Sequence, residues 1–208
     1  MSYHHLAVTF GWVAVMLTVS GTAAQFRRVA RLSIEGVSLA TWTLFVFMGV
    51  FWTAYGFDRH SAIIILGSVF SLPFQMAIVF RLRPWRRWRV VARSLAFTLV
   101  FCALPVVVWG WPGGVYGTGI VMVVNRAPQL IELVRYPDAT GVSVPMWSLG
   151  VAGAICWVLY YQNTRLWAAL AATACAGLAS LSIALLATWR HRQARVGLQA
   201  EVAVLFQA

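Results

Sequence analysis

Seven apolar runs, each long enough to cross a bilayer as a helix, follow one another along this chain with only short polar connections between them. Crossing about 30 Å of hydrocarbon takes roughly 20 helical residues. Runs of that length sit at about 6–26, 37–56, 61–81, 94–111, 115–134, 143–162 and 166–189. In hydrocarbon the backbone has no water to bond, so each run must satisfy its own N–H and C=O groups as a helix. The pattern therefore predicts an all-α integral membrane protein, with seven transmembrane helices and no room for a soluble domain. Composition agrees: of 208 residues, 61% are hydrophobic and 10% charged, with 11 Trp and 12 Phe. A soluble domain is about one-quarter charged. A soluble enzyme, a disordered tail and a disulfide scaffold are excluded.

The net charge is +11, and every basic residue is arginine. The arginines sit in short clusters between apolar runs, not along one solvated face, so nucleic acid is not the implied partner. Arg27, Arg28 and Arg31 follow the first run, six more lie between Arg81 and Arg93, Arg135 follows the fifth, and Arg190, Arg192 and Arg195 follow the last. Arg59 and Arg165 lie on the opposite side. The positive-inside rule then predicts an outside N-terminus and a cytoplasmic C-terminus. The first run has no basic segment ahead of it and reads as a retained span, not a cleaved signal. The Arg81–Arg93 cluster, with Trp85 and Trp88, reads as a basic elbow against anionic headgroups. In the tail, Leu198, Val202 and Leu205 recur at helical spacing, as in a short surface helix.

Metal and enzymatic chemistry find little support. Cys102, Cys156 and Cys175 lie singly in apolar stretches and read as packed thiols, and His4, His5, His60 and His191 show no ligand spacing. No nucleophile–base pair or phosphate loop is present. The expectation is a non-enzymatic protein without metal or cofactor.

The most specific feature is an internal repeat. Around the first two runs the chain reads AQFRRVARLSIEGVSLATW and then FWTAYG; around the fifth and sixth it reads PQLIELVRYPDATGVSVPMW and then CWVLYY. Gln25 matches Gln129 at an offset of 104, and past a one-residue insertion Gly36, Val37, Ser38, Trp42, Trp52 and Tyr55 match Gly141, Val142, Ser143, Trp147, Trp157 and Tyr160. Both copies carry basic loops, so both point the same way. Two parallel three-helix units need an extra crossing between them, which the run at 94–111 supplies.

A Pro-Gln near one helix end, a G-V-S turn and a W-x-x-Y closing the next helix resemble the PQ-loop family. Two copies with a linker resemble the 3+1+3 arrangement of SWEET-type sugar transporters and of amino-acid-exporting PQ-loop proteins. The resemblance covers roughly 6–190 and is strongest at Asn125–Gln129. It implies four regions: a first repeat at 1–81, an elbow and linker helix at 82–113, a second repeat at 114–190, and a cytoplasmic tail at 191–208. It further implies a plasma-membrane facilitator moving a small polar solute by alternating access, a sugar first and an amino acid second. A homo-oligomer is compatible with the scaffold. A non-transporting accessory protein or receptor is the different-class alternative.

The resemblance also implies site residues. In sugar-carrying relatives a tryptophan at the level of Trp52 and Trp157 stacks on substrate, and an asparagine sixteen residues on bonds it. Here those positions hold Ser68 and Thr173, against the alternative that the tryptophans are interfacial anchors and the hydroxyls packing residues. Asn125 is a further candidate ligand. Gln25, Pro128, Gln129 and Pro145 are candidate hinge or gating residues, with Ala24 and Ala40 replacing the prolines in the first repeat. Arg126, inside a span, either snorkels to headgroups, pairs with Glu132 or Glu35, or receives an anionic group.

Overall fold

The computed structural model describes residues 3–136 and 138–205, and every regular element among them is a helix. Helix α1 spans Tyr3–Arg31, α2 Leu39–Asp58 and α3 Ala62–Arg81. A 3-10 turn at Pro84–Arg87 leads into α4 (Trp88–Thr98), which continues through a π-helical stretch at Leu99–Ala103 into α5 (Leu104–Val124). Then come α6 (Ala127–Arg135), α7 (Val144–Asn163) and α8 (Trp167–Leu205). Six stretches among the described residues have the length and apolarity of membrane spans. Large side chains such as Val107, Trp109, Leu178 and Leu185 face outward, as lipid-facing residues do and as the surface of a soluble monomer does not. This is a multi-pass membrane protein.

One of those six stretches is the 52-residue run Pro84–Arg135. Laid straight at 1.5 Å per residue it would measure about 78 Å, more than twice the hydrocarbon thickness. It does not run straight. Gly110 has φ 69 and ψ −173, a backbone state open mainly to glycine, and the chain folds back there. A Cβ on Gly113 would stand 2.7 Å from the Pro105 carbonyl oxygen, and Gly117 lies directly against the Phe101 carbonyl. Small residues allow this close approach of two backbones. The runs expected at 94–111 and 115–134 are the two arms of this hairpin.

Two boundaries differ from expectation. The arginines after the first run belong to the last turns of α1, where Arg28 and Arg31 meet the negative end of the helix dipole. Residues 191–205, expected within a tail carrying a separate surface helix, continue α8 without a break. The side chains behind that expectation, Leu198, Val202 and Leu205, lie outside the described ones.

The packing has a two-fold pattern. Helix α3 contacts both α1 and α2, and α8 contacts both α7 and the α5–α6 pair. The two groups then meet across two seams, α1 on α7 and α2 on α5 and α6, with α4 set against α2. Close approach along the first seam rests on glycine: Gly21 lies against Met146 and Leu149. The contacts close a ring of helices around a central space.

Both G-V-S segments are N-caps. Ser38 accepts from the Thr41 N–H at 3.4 Å to start α2, and Ser143 accepts from the Met146 N–H at 3.3 Å to start α7. The two loops lie at one end of the bundle and touch, the Gly141 N–H donating to the Glu35 carbonyl at 3.0 Å. Glycine is required at both copies for this meeting. Gly36 has φ +74 and its Cβ would fall 2.7 Å from the Asp138 carbonyl oxygen; a Cβ on Gly141 would fall 2.6 Å from that of Ser33.

Candidate functional site

The two matched glutamines cross over between the repeats. Gln25 Nε2 donates to the Gly141 carbonyl at 2.7 Å, and its Oε1 accepts from the Ser143 N–H at 2.8 Å. Gln129 Nε2 donates to the Gly36 carbonyl at 2.5 Å, and its Oε1 accepts from the Ser38 N–H at 3.0 Å. Each glutamine therefore bonds one carbonyl and one N–H of the other repeat's loop. Both side chains are 1% exposed, so these are full-strength bonds in a dry setting. They latch the two halves together at the loop end. Three further contacts hold the second loop and α6: Arg28 Nε donates to the Thr140 carbonyl, His191 Nε2 lies 2.8 Å from that of Ala139, and Arg190 donates to the C-terminal carbonyls of α6.

Beyond the latch lies a cavity of about 200 Å³. It reaches from the matched pair Trp42 and Trp147 to the matched pair Trp52 and Trp157. Ten helical residues separate these layers, about 15 Å at 1.5 Å per residue. Phe45 bridges the first layer, with ring centroids 5.4 Å from Trp42 and 6.4 Å from Trp147. The second layer repeats itself: Trp52 meets Tyr55 edge-on at 5.5 Å, and Trp157 meets Tyr160 edge-on at 5.6 Å.

All five residues expected to bind substrate line this cavity: Trp52, Trp157, Ser68, Thr173 and Asn125. Thr173 is the most telling. Hydroxyls in these helices usually donate to the carbonyl four residues back, as Thr22, Ser71 and Ser180 do. Thr173 Oγ1 is buried and has no partner among the described residues, and the same holds for Gln75 Oε1 across the cavity. An unbonded buried polar atom is costly, and a guest supplying hydrogen bonds would remove that cost.

The gating candidates divide. Gln25 and Gln129 form the latch. Pro128 stands second in α6, just past a break at Asn125 and Arg126, whereas α1 runs unbroken through Ala24. Pro145 stands second in α7, where no intrahelical bond needs its N–H, and it breaks nothing. Arg126 pairs with neither Glu132 nor Glu35, and its side chain turns back toward Met122 instead of on toward the loop end. Its guanidinium turns into the cavity wall, bonding Ser180 Oγ at 2.8 Å, Asn125 Oδ1 at 2.8 Å and the Met122 carbonyl at 2.5 Å. These three oxygens satisfy the guanidinium from the cavity wall itself. Asn125 and Gln129, expected on one helix face, serve different places: Asn125 lines the cavity, and Gln129, a turn further on, reaches the loop of Gly36 and Ser38.

Sequence reading marked Trp42 and Trp147 only as matched positions of the repeat, and did not single out Phe45, Gln75 or Ser180. The register held a signal for the last two. Gln75 and Ser180 are seven residues, two helical turns, beyond Ser68 and Thr173, and are themselves 105 apart.

Comparison of the chain with family models, with curated proteins and with solved structures finds no match.

Proposed function

We propose that this protein is a plasma-membrane facilitator that passes a small polar solute between two helical bundles by alternating access. In this reading α1–α3 form one three-helix repeat, and the second, parallel to it, is α5 past Gly110 continued by α6 as one crossing, then α7 and α8. The α4 arm is the linker crossing, so the chain makes seven crossings with its N-terminus outside and C-terminus in the cytoplasm. One observation carries the reading: a central cavity walled by repeat-equivalent residues, Trp42 with Trp147 and Trp52 with Trp157, and latched at one end by Gln25 and Gln129. A site between two bundles that can rock is how parallel-repeat carriers expose one pocket to each side in turn. Rocking would part the loops, break four latch bonds and use the helix break at Asn125–Arg126 as its joint.

No Asp or Glu among the described residues lines the cavity, which favours movement down a gradient over proton coupling. Proteoliposome counterflow with a panel of labelled sugars, amino acids and organic acids tests the proposal. Exchange of one class supports it; no exchange of any solute supports an accessory or receptor role.

A further inference from the structure

We propose that the cavity takes a small carboxylate as an anion and that Arg126 is its receptor; how the solute reaches and leaves the site rests on the carrier reading above. Three N–H groups of Arg126 are used, and all three meet neutral oxygens: Ser180 Oγ, Asn125 Oδ1 and the Met122 carbonyl. A guanidinium has five. Nη2 donates to no protein group among the described residues. The Phe45 ring lies 5.6 Å from the guanidinium carbon and compensates part of the charge, but no carboxylate among the described residues does. Asp58, Glu35, Glu132 and Asp138 all stay outside the cavity, and the ion pair found among the described residues is Asp58 with its neighbour Arg59.

A cation without a counter-ion in hydrocarbon is expensive, and the scaffold does not need this one. The repeat-equivalent position, 104 residues earlier, holds Thr22, whose hydroxyl only bonds its own helix. The same fold is thus built once without an arginine, which leaves Arg126 to the guest. A carboxylate placed on Nη2 neutralises the charge through charge-assisted hydrogen bonds. A neutral sugar brings hydroxyls but no charge.

The rest of the cavity describes the rest of the molecule. Gln75 Oε1 and Thr173 Oγ1 stand unbonded and buried for one further polar substituent, while the tryptophan layers suit an apolar body. A cavity of 150 Å³ holds benzene, so the one here, about 200 Å³, suits a solute of roughly ten heavy atoms.

The test compares acids with their neutral amides on the full chain in lipid nanodiscs: lactate against lactamide, and phenylacetate against phenylacetamide, with glucose as a neutral polyol. Binding is read by quenching of tryptophan fluorescence and by thermal shift. At least one acid should bind at least about tenfold tighter than its amide, and Arg126→Gln should abolish that preference. The acid–amide comparison on the wild-type chain needs no variant, so misfolding of R126Q leaves the test intact. Equal binding of acid and amide, tighter binding of glucose, or no binding by any probe overturns the carboxylate site. In proteoliposomes, an acid that binds but does not cross sinks the carrier reading and leaves the site standing. Glucose flux without acid flux does the reverse.

Discussion

Removing one glutamine of the latch has a consequence that the structure allows to be sized. In Gln25→Ala the Gly141 carbonyl and the Ser143 N–H lose their partners at 2.7 and 2.8 Å. Both groups belong to a loop pressed against the other repeat, and Ser143 is 2% exposed. Each buried backbone group left unbonded costs about 1–3 kcal/mol, so the latched state loses about 2–6 kcal/mol. At 1.4 kcal/mol per factor of ten, even the lower figure raises the population with parted loops about 30-fold. Gln129→Ala removes the matching pair of bonds and should do the same. Val142 reports the parting, because it lies between the loops and is 1% exposed. A Val142→Cys probe, with Cys102, Cys156 and Cys175 replaced, should react with a membrane-impermeant maleimide only when the loops separate. If opening is fast relative to labelling, the rate follows the open population. Labelling should rise by at least about tenfold in each glutamine variant. Rates within about twofold of the parent for either variant would refute the reciprocal latch.

Other perturbations separate the parts of the scaffold. Gly36→Ala places a Cβ 2.7 Å from the Asp138 carbonyl oxygen at φ +74 and should destabilise by about 1–2 kcal/mol or more. Gly150→Ala, whose nearest neighbour would be 3.9 Å away, should leave the unfolding midpoint in detergent nearly unchanged. Pro128→Ala restores an N–H near the α5–α6 break, so turnover in counterflow should fall by about threefold or more while the half-saturating concentration stays within about twofold; equal turnover removes the hinge. The Thr140 hydroxyl and its backbone N–H both donate to Asp138 and hold its carboxyl below the usual range. A depressed pKa stabilises the fold above the unfolded value of about 3.9 and loses that contribution as pH falls through the folded value. The stability difference between wild type and Asp138→Asn should therefore be present at pH 7 and shrink below about pH 4.

The sequence by itself determined the material of the fold. Twenty-residue apolar runs leave a chain no choice but helix, because hydrocarbon offers the backbone no other partner. The repeat register did more, since an offset of 105 placed Trp52, Trp157, Ser68 and Thr173 as equivalent positions, and all four line one cavity. What the register could not carry was contact between the copies. That Gln25 reaches Gly141 and Ser143, 116 and 118 residues away, depends on two loops meeting at one end of the bundle. The two glycines that permit the meeting look alike in sequence. Yet one is required by its positive φ as well as close approach, and the other by close approach alone.

Arg126 shows the limit most plainly. Its position inside a span marked it as costly, but a long flexible side chain can satisfy that cost at the headgroups, with a carboxylate or within the wall of a cavity. Only the tertiary structure decided among these, by setting Ser180 of α8 and Phe45 of α2 within reach and keeping every described carboxylate away. Local pattern fixes which residues must be buried as helices. Which buried groups then find partners is a property of packing between segments distant in the chain, and at Gln75 and Thr173 that packing leaves polar atoms without one.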